Sequence, residues 1–346
     1  MTYAPAWTQQ NASGRLEPAV DRVRAVDAAE LADAVNRRRR LTYREAHDYS
    51  PQISAGLPVR LTTLATAEAP PLDNLRDALA VHVLEPPAGG LGGDPPTPAA
   101  MDWLWPEPDG DEGKVIVAAG AGAGEVALLT KLNGTEDWTD PAPPAAATPI
   151  RAVHWNELRQ AVEWLRRGRW VLPVYLPAGV FSVLPDTPWT GDAVANNGTD
   201  ELRAVGLAML RTADDPPRGL TDVTVLEATE LVVTADLDCR IEAYRCKRPL
   251  DFVADPPTWN EYGPASDLAW QSPGGTGPDD AERIGTLDLA AGEPSALTGP
   301  ALASACQAMV DGAEQSFLFR RADTGPETVG LIAWLTVEFE LNAPPN

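Results

Sequence analysis

The sequence predicts a mainly-β protein with a C-terminal β-sandwich, preceded by an extended N-terminal region that contains short helices and a β-hairpin. Three observations support this prediction. The 346 residues include 34 Pro and 28 Gly, a share that suits many short strands joined by turns and ordered loops. Runs of β-branched residues recur through the C-terminal half. Among them lies a segment at 257–275, called the aromatic loop below, in which two Trp and one Tyr are interleaved with Pro, Asn and Gly.

Two similar helices are predicted in the N-terminal half. Asp27 is a candidate N-cap of a short amphipathic helix, because Glu30 follows three residues later and Leu31 and Val35 share one face. The segment at 23–35 recurs at 150–162, where seven of the thirteen residues are identical. A reduced third copy covers 75–79. Such internal repetition indicates one docking unit that is used more than once.

These helices are too short to persist alone in water, so they must dock on another surface. For the first and third copies we predict an assembly interface with neighbouring subunits. Its candidate residues are apolar: Trp7, Leu31, Val35, Leu75 and Leu79. The second copy, with Leu158 and Val162 on its apolar face, is expected to brace the start of the sandwich.

A β-hairpin is predicted between the first and second helices. Two apolar runs at 114–119 and 125–132 are joined by a glycine-rich turn at 120–124, and a stiff Pro/Ala-rich linker follows at 139–149. These patterns divide the chain into four regions. They are an arm with docking helices at 1–100, the hairpin and linker at 101–149, the second helix at 150–169, and the sandwich at 170–346.

The sandwich is predicted from four strand-like runs. The run at 239–246 alternates outward charge with inward Ile241 and Ala243, which is typical of a half-buried strand. Further β-branched or apolar runs fall at 221–235, 315–320 and 329–341.

Several short motifs follow one another through this half of the chain: Asp186-Thr187, Ala195–Thr199, Leu202, Val205-Gly206, Arg211, Val225–Val233, Ile241–Arg245, Thr258–Asn260 and Gly285–Leu289. In this order they resemble the DNRLRE-type jelly roll of bacterial surface proteins and tailed-phage structural proteins, a domain related in shape to carbohydrate-binding modules. The segment at 209–214 departs from the family pattern because it lacks the expected Phe. The resemblance implies a jelly-roll fold over about 170–342, with a strand at 285–289 followed by a short helix at 300–310. It also leaves open a structural Ca²⁺ near Asp186, Asp192 and Asn196.

The charge distribution argues against nucleic acid and membrane surfaces as partners. The formal net charge is −23 and the isoelectric point is near 4.4, whereas phosphate binding requires clustered Lys and Arg. A helix needs about 20 apolar residues to span a bilayer, and no apolar run approaches that length. The N-terminal sequence does not have the pattern of a signal peptide. The three Cys, an odd number, predict buried free thiols and no disulfide framework.

No motif predicts catalysis or a bound cofactor. Gly120, Gly122 and Gly124 follow an apolar run, but Glu125 stands where a dinucleotide site needs its third glycine. The three His show no metal-ligand spacing, and His154 is predicted to cap its helix or lie on the surface. The carboxylates of the loops are expected to be solvated and unperturbed. We therefore predict a non-enzymatic protein.

Trp259, Tyr262 and Trp270 allow two interpretations of the aromatic loop. Their rings could fasten the loop to the sandwich, or they could form a platform on which sugar rings stack. The sequence favours the first interpretation, because Trp259 falls in a recurrent structural motif of the family that the chain resembles.

The whole sequence predicts a virion structural protein of a tailed phage, made in the host cytoplasm: a capsid decoration, head-fibre, neck or tail-associated subunit. Its N-terminal half would attach to a major capsid or tail protein and to copies of itself, since arms without their own core order on neighbours. Its jelly roll would be displayed, where it could meet a host-surface glycan. The alternative is an extracellular, adhesin-like bacterial surface protein whose jelly roll binds a glycan.

Overall fold

The computed structural model describes residues 30–37 without 32 and 36, then 100–106, 112–116, 152–164, 167–211, 219–252 and 254–342. Over these ranges the protein is mainly β, as predicted. The helices are a segment within 30–37, α1 (Ala152–Trp164) and α2 (Pro300–Val310). The strands are β1 (Ala100–Pro106), β2 (Glu112–Ile116), β3 (Arg167–Phe181), β4 (Ala193–Asn196), β5 (Glu201–Leu207), β6 (Val223–Val225), β7 (Glu230–Ala235), β8 (Cys239–Cys246), β9 (Glu261–Gly263), β10 (Leu268–Ala269), β11 (Ala281–Leu289), β12 (Ser295–Thr298), β13 (Ser316–Arg321) and β14 (Gly325–Leu341).

Most of the strands form two antiparallel layers. In the first layer the order is β12, β7, β14, β3, β1, β2, and β6 pairs with the end of β14. In the second layer the order is β11, β8, β13, β5, and β5 also pairs with β4 and with the second half of β3. β9 and β10 form a separate two-stranded ribbon within the aromatic loop.

Two long strands pass through both layers and join them. β3 pairs with β14 from Arg167 to Val174 and with β5 from Tyr175 onward. The ladder with β5 is irregular between Tyr175 and Ala178. Pro177 lies at that irregularity, where the missing N–H of proline removes no ladder hydrogen bond. β14 likewise pairs with β4 at its start and with β3 and β7 further along.

The main core lies between the two layers and is built by alternation along the strands. β14 shows the pattern most fully, with inward residues Val329, Leu331, Ala333, Leu335, Val337, Phe339 and Leu341 all buried. Burying a side chain of this size contributes about 1.5–3 kcal/mol before the loss of conformational entropy is counted. α2 packs Leu302, Cys306 and Met309 against the same core.

The helical repeats are part of this core. Leu31 and Val35 of the first copy are fully buried and belong to the same cluster as Leu158 and Val162 of the second copy. Arg37 also donates a hydrogen bond from Nη2 to the carbonyl of Asn342, at 3.0 Å, just beyond β14. The predicted assembly interface is therefore corrected for Leu31 and Val35, because the chain's own core covers these two side chains. Trp7, Leu75 and Leu79 lie outside the described residues.

Several predicted elements match the structure and others differ. β8 and α2 have the predicted bounds, while β14 begins earlier than predicted. The predicted run at 221–235 is two strands, because a turn at Leu226–Thr229 separates β6 from β7, with the Thr229 amide donating to Leu226 O at 3.0 Å.

The N-terminal regions differ more from the prediction. β2 pairs with β1, a strand that was not predicted, and β1 pairs with β3, so this hairpin extends the first layer. The predicted partner run at 125–132 and its glycine-rich turn lie outside the described residues. A division at residue 170 would cut through β3.

None of the described helices has the length and apolar character needed to cross a membrane. The three cysteines are free and buried, as predicted. Burial raises the pKa of Cys239 to about 11 and that of Cys306 to about 12, so these thiols stay protonated and unreactive at neutral pH.

Candidate functional site

The aromatic loop covers the outer side of the second layer and encloses a second, smaller core. Its fully packed members are Val180, Val205, Tyr244, Cys246, Ala281 and Leu318, and three partly buried side chains pack on them: Leu250, Phe252 and Trp259. Both faces of β8 are therefore covered near its end, which explains why Tyr244, Arg245 and Cys246 are all buried where alternation would leave one exposed.

Trp270 holds the loop to itself. The side chain is 5% exposed, and its indole Nε1 donates to the carbonyl of Thr258 at 2.9 Å. The Tyr262 ring lies 5.4 Å from the Trp270 ring in a tilted arrangement, and the Arg248 guanidinium lies 5.4 Å from the centre of the Tyr262 ring. Trp270 thus holds one part of the loop to another.

Arg203 fastens the loop to the sheet. This β5 side chain lies 4.5 Å from the centre of the Trp259 ring, and its Nη1 donates to the carbonyl of Gly274 at 2.7 Å. The other side of the guanidinium donates to Glu201, with Nη2 at 2.6 Å from the carboxylate. A cation on an aromatic face combined with charge-assisted hydrogen bonds is a strong arrangement when it is buried, and the Arg203 side chain is only 6% exposed.

Gly274 is required at this contact. Its φ of +79° is in the left-handed region, and a Cβ built on it would collide with Nη1 of Arg203 and with the Trp259 ring. The amide of Gly274 donates back to the carbonyl of Trp259 at 2.6 Å. The glycine therefore lets the backbone approach the cation and the indole together.

Asp280 organises the end of the loop. Its carboxylate is fully buried and accepts hydrogen bonds from the amides of Gln271 and Ser272, each at 2.9 Å, and from Nε of Arg248 at 3.1 Å. These three donors satisfy a charge that would otherwise be costly to bury. From the sequence we expected Asp280 to be a solvated loop carboxylate. This expectation is corrected, because the carboxylate is buried.

A row of charges crosses the second layer beneath the loop. Glu201 contacts Arg320 as well as Arg203, and Glu242 accepts a hydrogen bond from the Tyr244 hydroxyl at 2.7 Å. Burial alone would raise the pKa of Glu201, but Arg203 and Arg320 outweigh it and hold the pKa below its usual value. Burial and the hydrogen bond to Glu242 raise the pKa of Tyr244. The charges are thus paired within the protein.

This geometry limits what the aromatic loop can do. A sugar platform needs exposed ring faces, but Trp270 is buried and one face of Trp259 is covered by Arg203. Arg203 was not singled out from the sequence, because its partners Gly274 and Thr276 lie 71 and 73 residues further along the chain.

Comparison with known proteins identifies no matching family, and no curated protein matches the chain. The resemblance to the DNRLRE-type jelly roll therefore stays a prediction.

The remaining sequence candidates do not form a site. His154 is fully buried in α1, so the predicted surface position is corrected, while the alternative capping role stays a prediction. Asp186 accepts a hydrogen bond from Asn260, and Asn196 donates one to the carbonyl of Arg321. Within the described part of the chain, no three His, Cys, Asp or Glu side chains are grouped as metal ligands.

One exposed surface was not predicted from the sequence. On the outer side of the first layer, Trp334 pairs across the strands with Pro173 on β3 and Val232 on β7, and Val232 pairs with Ala296 on β12. Cross-strand partners point to the same side, so these residues form one row over four strands. Ile332 and Trp334 are 61% and 38% exposed. We call this the apolar sheet face: Pro173, Val232, Ala296, Ile332 and Trp334.

The signal for this face is present in the closing strand. The outward positions of β14 carry Ile332 and Trp334 in its middle but Glu338 and Glu340 near its end. Alternation alone identifies both sets as outward, and only their chemistry differs. Glu338 lies two outward positions beyond Trp334 along β14 and forms an ion pair with Arg169 at 3.0 Å. The apolar sheet face therefore has a charged border on this side.

Proposed function

We propose that the protein is a non-enzymatic structural subunit of a tailed-phage particle, and that it attaches to the particle through the apolar sheet face. The observation that carries this proposal is the exposed apolar row across four strands, centred on Trp334. Contiguous exposed apolar surface with a polar border is typical of protein interaction sites. The resemblance to jelly rolls of phage structural proteins supports the kind of assembly.

The composition of the face suits a protein partner. Interfaces have apolar centres enriched in aromatic residues and polar rims that contribute less to affinity. Trp334 and Ile332 provide such a centre, and the ion pair between Arg169 and Glu338 lies at its rim. Because each copy carries a net charge of −23, copies repel one another, which favours a different particle protein as the partner.

The attachment can be tested with tagged variants made during infection. In the double substitution Ile332→Glu and Trp334→Glu, two charges replace the apolar centre. We expect the amount of tagged protein in the particle band of a density gradient to fall at least about tenfold relative to wild type, as for loss of an interface hot spot. Thermal unfolding of each purified variant checks that the fold is retained.

A matched control uses two other exposed apolar residues. Val183 and Leu184 are 51% and 45% exposed in the turn after β3, outside the apolar sheet face. Val183→Glu with Leu184→Glu adds the same charge, and we expect wild-type incorporation. If the wild-type chain is absent from the particle band, the virion proposal is overturned. If the face variant is retained while the control is lost, attachment uses another surface.

The alternative function, glycan binding by a bacterial surface protein, has less support from the aromatic loop. The ring of Trp270 is buried and one face of Trp259 is covered by Arg203, so the loop offers a sugar fewer ring faces than the platform interpretation expects.

A further inference from the structure

A cavity of about 380 Å³ with several charged and polar side chains in its lining opens beside the end of α2. Its lining consists of Arg211, Lys247, Pro249 and the segment 312–315. Lys247 directly follows β8, and 312–315 connect α2 to β13. The volume is in the range of sites for small molecules.

Two cations in this cavity have donors to spare. The Arg211 guanidinium donates from Nη1 to the carbonyl of Val310 at 3.0 Å, and no second hydrogen bond of this group is found among the described residues. Lys247 donates from Nζ to the carbonyl of Pro278 at 2.9 Å. Since guanidinium has five N–H donors and ammonium has three, both groups can donate further to a ligand.

The wall beside Arg211 is rigid. The Gln315 side chain accepts from the Leu210 amide at 2.9 Å and donates to the carbonyls of Met309 and Ala313, at 2.6 and 3.0 Å. Its amide group is thereby committed to the protein. Gly312 has a φ of +103°, and a Cβ there would lie 3.5 Å from Nη1 of Arg211. The cavity is therefore largely formed before any ligand binds, which lowers the entropic cost of binding.

A carboxyl group faces the same space. Glu314 accepts a hydrogen bond from the Ser316 hydroxyl at 2.6 Å, and burial raises its pKa. Among the described residues Glu314 forms no ion pair with Arg211 or Lys247, although all three line the cavity. An anion that only accepts hydrogen bonds, such as sulfate, would be repelled by Glu314 when that group is ionised.

We propose that this cavity binds a small organic carboxylate that also carries hydrogen-bond donors, as sugar acids and amino acids do. The ligand carboxylate pairs with Arg211 and Lys247, and a hydroxyl or ammonium group of the same molecule donates to Glu314. This assignment is independent of how the protein attaches to a particle. The ligand supplies an anion for the two cations and a further donor for Glu314, which already accepts from the Ser316 hydroxyl and from the amides of Leu250 and Gln315.

Isothermal titration calorimetry on the full chain tests the chemistry with five probes. D-glucuronate and L-alanine each combine a carboxylate with donors, acetate and D-glucose each provide one half, and sulfate is the acceptor-only anion. We expect saturable binding of glucuronate or alanine, at least about tenfold tighter than acetate, glucose or sulfate. Tighter binding of glucuronate than of alanine identifies a hydroxyl as the donor, and the reverse order identifies an ammonium group. Binding of neither, or tighter binding of sulfate, overturns the assignment.

Variants then locate the ligand. Arg211→Gln and Lys247→Gln are each expected to weaken binding of the best probe at least about tenfold, as for loss of a charge-assisted hydrogen bond. Arg240→Gln is the matched control, because Arg240 is 58% exposed at the opposite end of β8. Equal weakening by Arg240→Gln would mean that overall charge attracts the probe, and the site would be rejected.

Glu314→Gln separates the two halves of the ligand. The glutamine amide carries no charge, so its oxygen accepts a weaker hydrogen bond than the carboxylate does. We therefore expect lower affinity for glucuronate or alanine and unchanged affinity for acetate. Near-ultraviolet circular dichroism confirms that each variant is folded. Unchanged affinity of the best probe for the Glu314 variant would overturn the role of that group.

Discussion

Arg203 carries more interactions than any neighbour in the aromatic loop. It joins a strand of the second layer to Trp259, Gly274 and Glu201 while its own side chain is almost completely buried. Removing one partner from a buried charged cluster costs more than losing an exposed ion pair, because the remaining groups keep their desolvation penalty.

We predict that Arg203→Ala lowers the free energy of unfolding by about 3 kcal/mol. A double-mutant cycle with Trp259→Ala should give a coupling energy of about 1–2 kcal/mol, the size of a desolvated cation–π contact. Urea unfolding followed by circular dichroism measures both. As a control, Arg283→Ala should cost less than about 1 kcal/mol, since Arg283 is 55% exposed in its ion pair with Glu242. Zero coupling would mean that Arg203 and Trp259 stabilise the loop separately.

Glu201 should make the protein sensitive to acid. Its folded-state pKa is held below the unfolded value of about 4.5 by Arg203 and Arg320, against the effect of burial. Its contribution to stability is therefore present above that unfolded pKa and is lost as the pH falls through the lower folded pKa. Glu201→Gln is expected to reduce the loss of stability between about pH 6 and about pH 3, measured as urea midpoints.

Glu314 provides a comparison of opposite sign. Burial raises its pKa in the folded state, so its ionisation costs stability as the pH rises above the unfolded value. Compared with the wild type, Glu314→Gln should therefore raise the free energy of unfolding more at neutral pH than at acid pH.

The prediction for Glu201 has its own contradicting outcome. If the acid profile of Glu201→Gln is identical to that of the wild type, other carboxylates govern the response to acid.

Among the secondary-structure elements, the two helical copies both contribute to one core. Leu31 corresponds to Leu158 and Val35 to Val162 in the repeat, and all four side chains are fully buried. The repetition was detectable in the sequence, and so was the need of these helices to dock. The surface on which they dock was not, because a short apolar face fits the chain's own core as well as a neighbour's.

We predict that Leu31→Ala and Leu158→Ala each lower the free energy of unfolding by about 2–5 kcal/mol, as for large-to-small changes in a core. Chemical unfolding of the purified full chain measures this. Asp33→Ala, at an exposed position of the same helical segment as Leu31, should change stability by less than about 0.5 kcal/mol. If Leu31→Ala leaves stability intact, the first copy does not belong to the folding core and the original assembly interpretation is restored.

Strand prediction succeeded where local pattern and burial agree. β8 was predicted with its observed bounds because charged and apolar residues alternate along it. The bounds of α2 were predicted from the resemblance to the DNRLRE-type jelly roll, in which a short helix follows a strand, and the structure has a helix at those bounds, with Pro300 in its first turn. The split of β6 from β7 was missed, since the turn at Leu226–Thr229 is held by a long-range hydrogen bond from the Leu226 amide to the carbonyl of Glu338. Such a partner is not visible in the local sequence.

Across the whole molecule, the fold class followed from composition and periodicity, but the surfaces did not. The aromatic loop was recognised from its Trp residues, yet its attachment to β5 depends on a contact between residues 71 positions apart. The cavity beside α2 gathers Arg211, Lys247 and Glu314 from three separate parts of the chain. Periodicity specifies which side of a strand faces inward, and only the folded topology determines which outward residues meet.

The path of β14 has a consequence for synthesis. This strand completes both layers, and its Glu338 meets Arg169 of β3 across 169 residues of sequence. At roughly 5–20 residues per second, a ribosome needs roughly 8–35 s to add that much chain after β3. During this interval the inward side chains of β3 have no β14 to cover them. The nascent protein should therefore depend on chaperones that hold apolar strands, and more so when translation is slow.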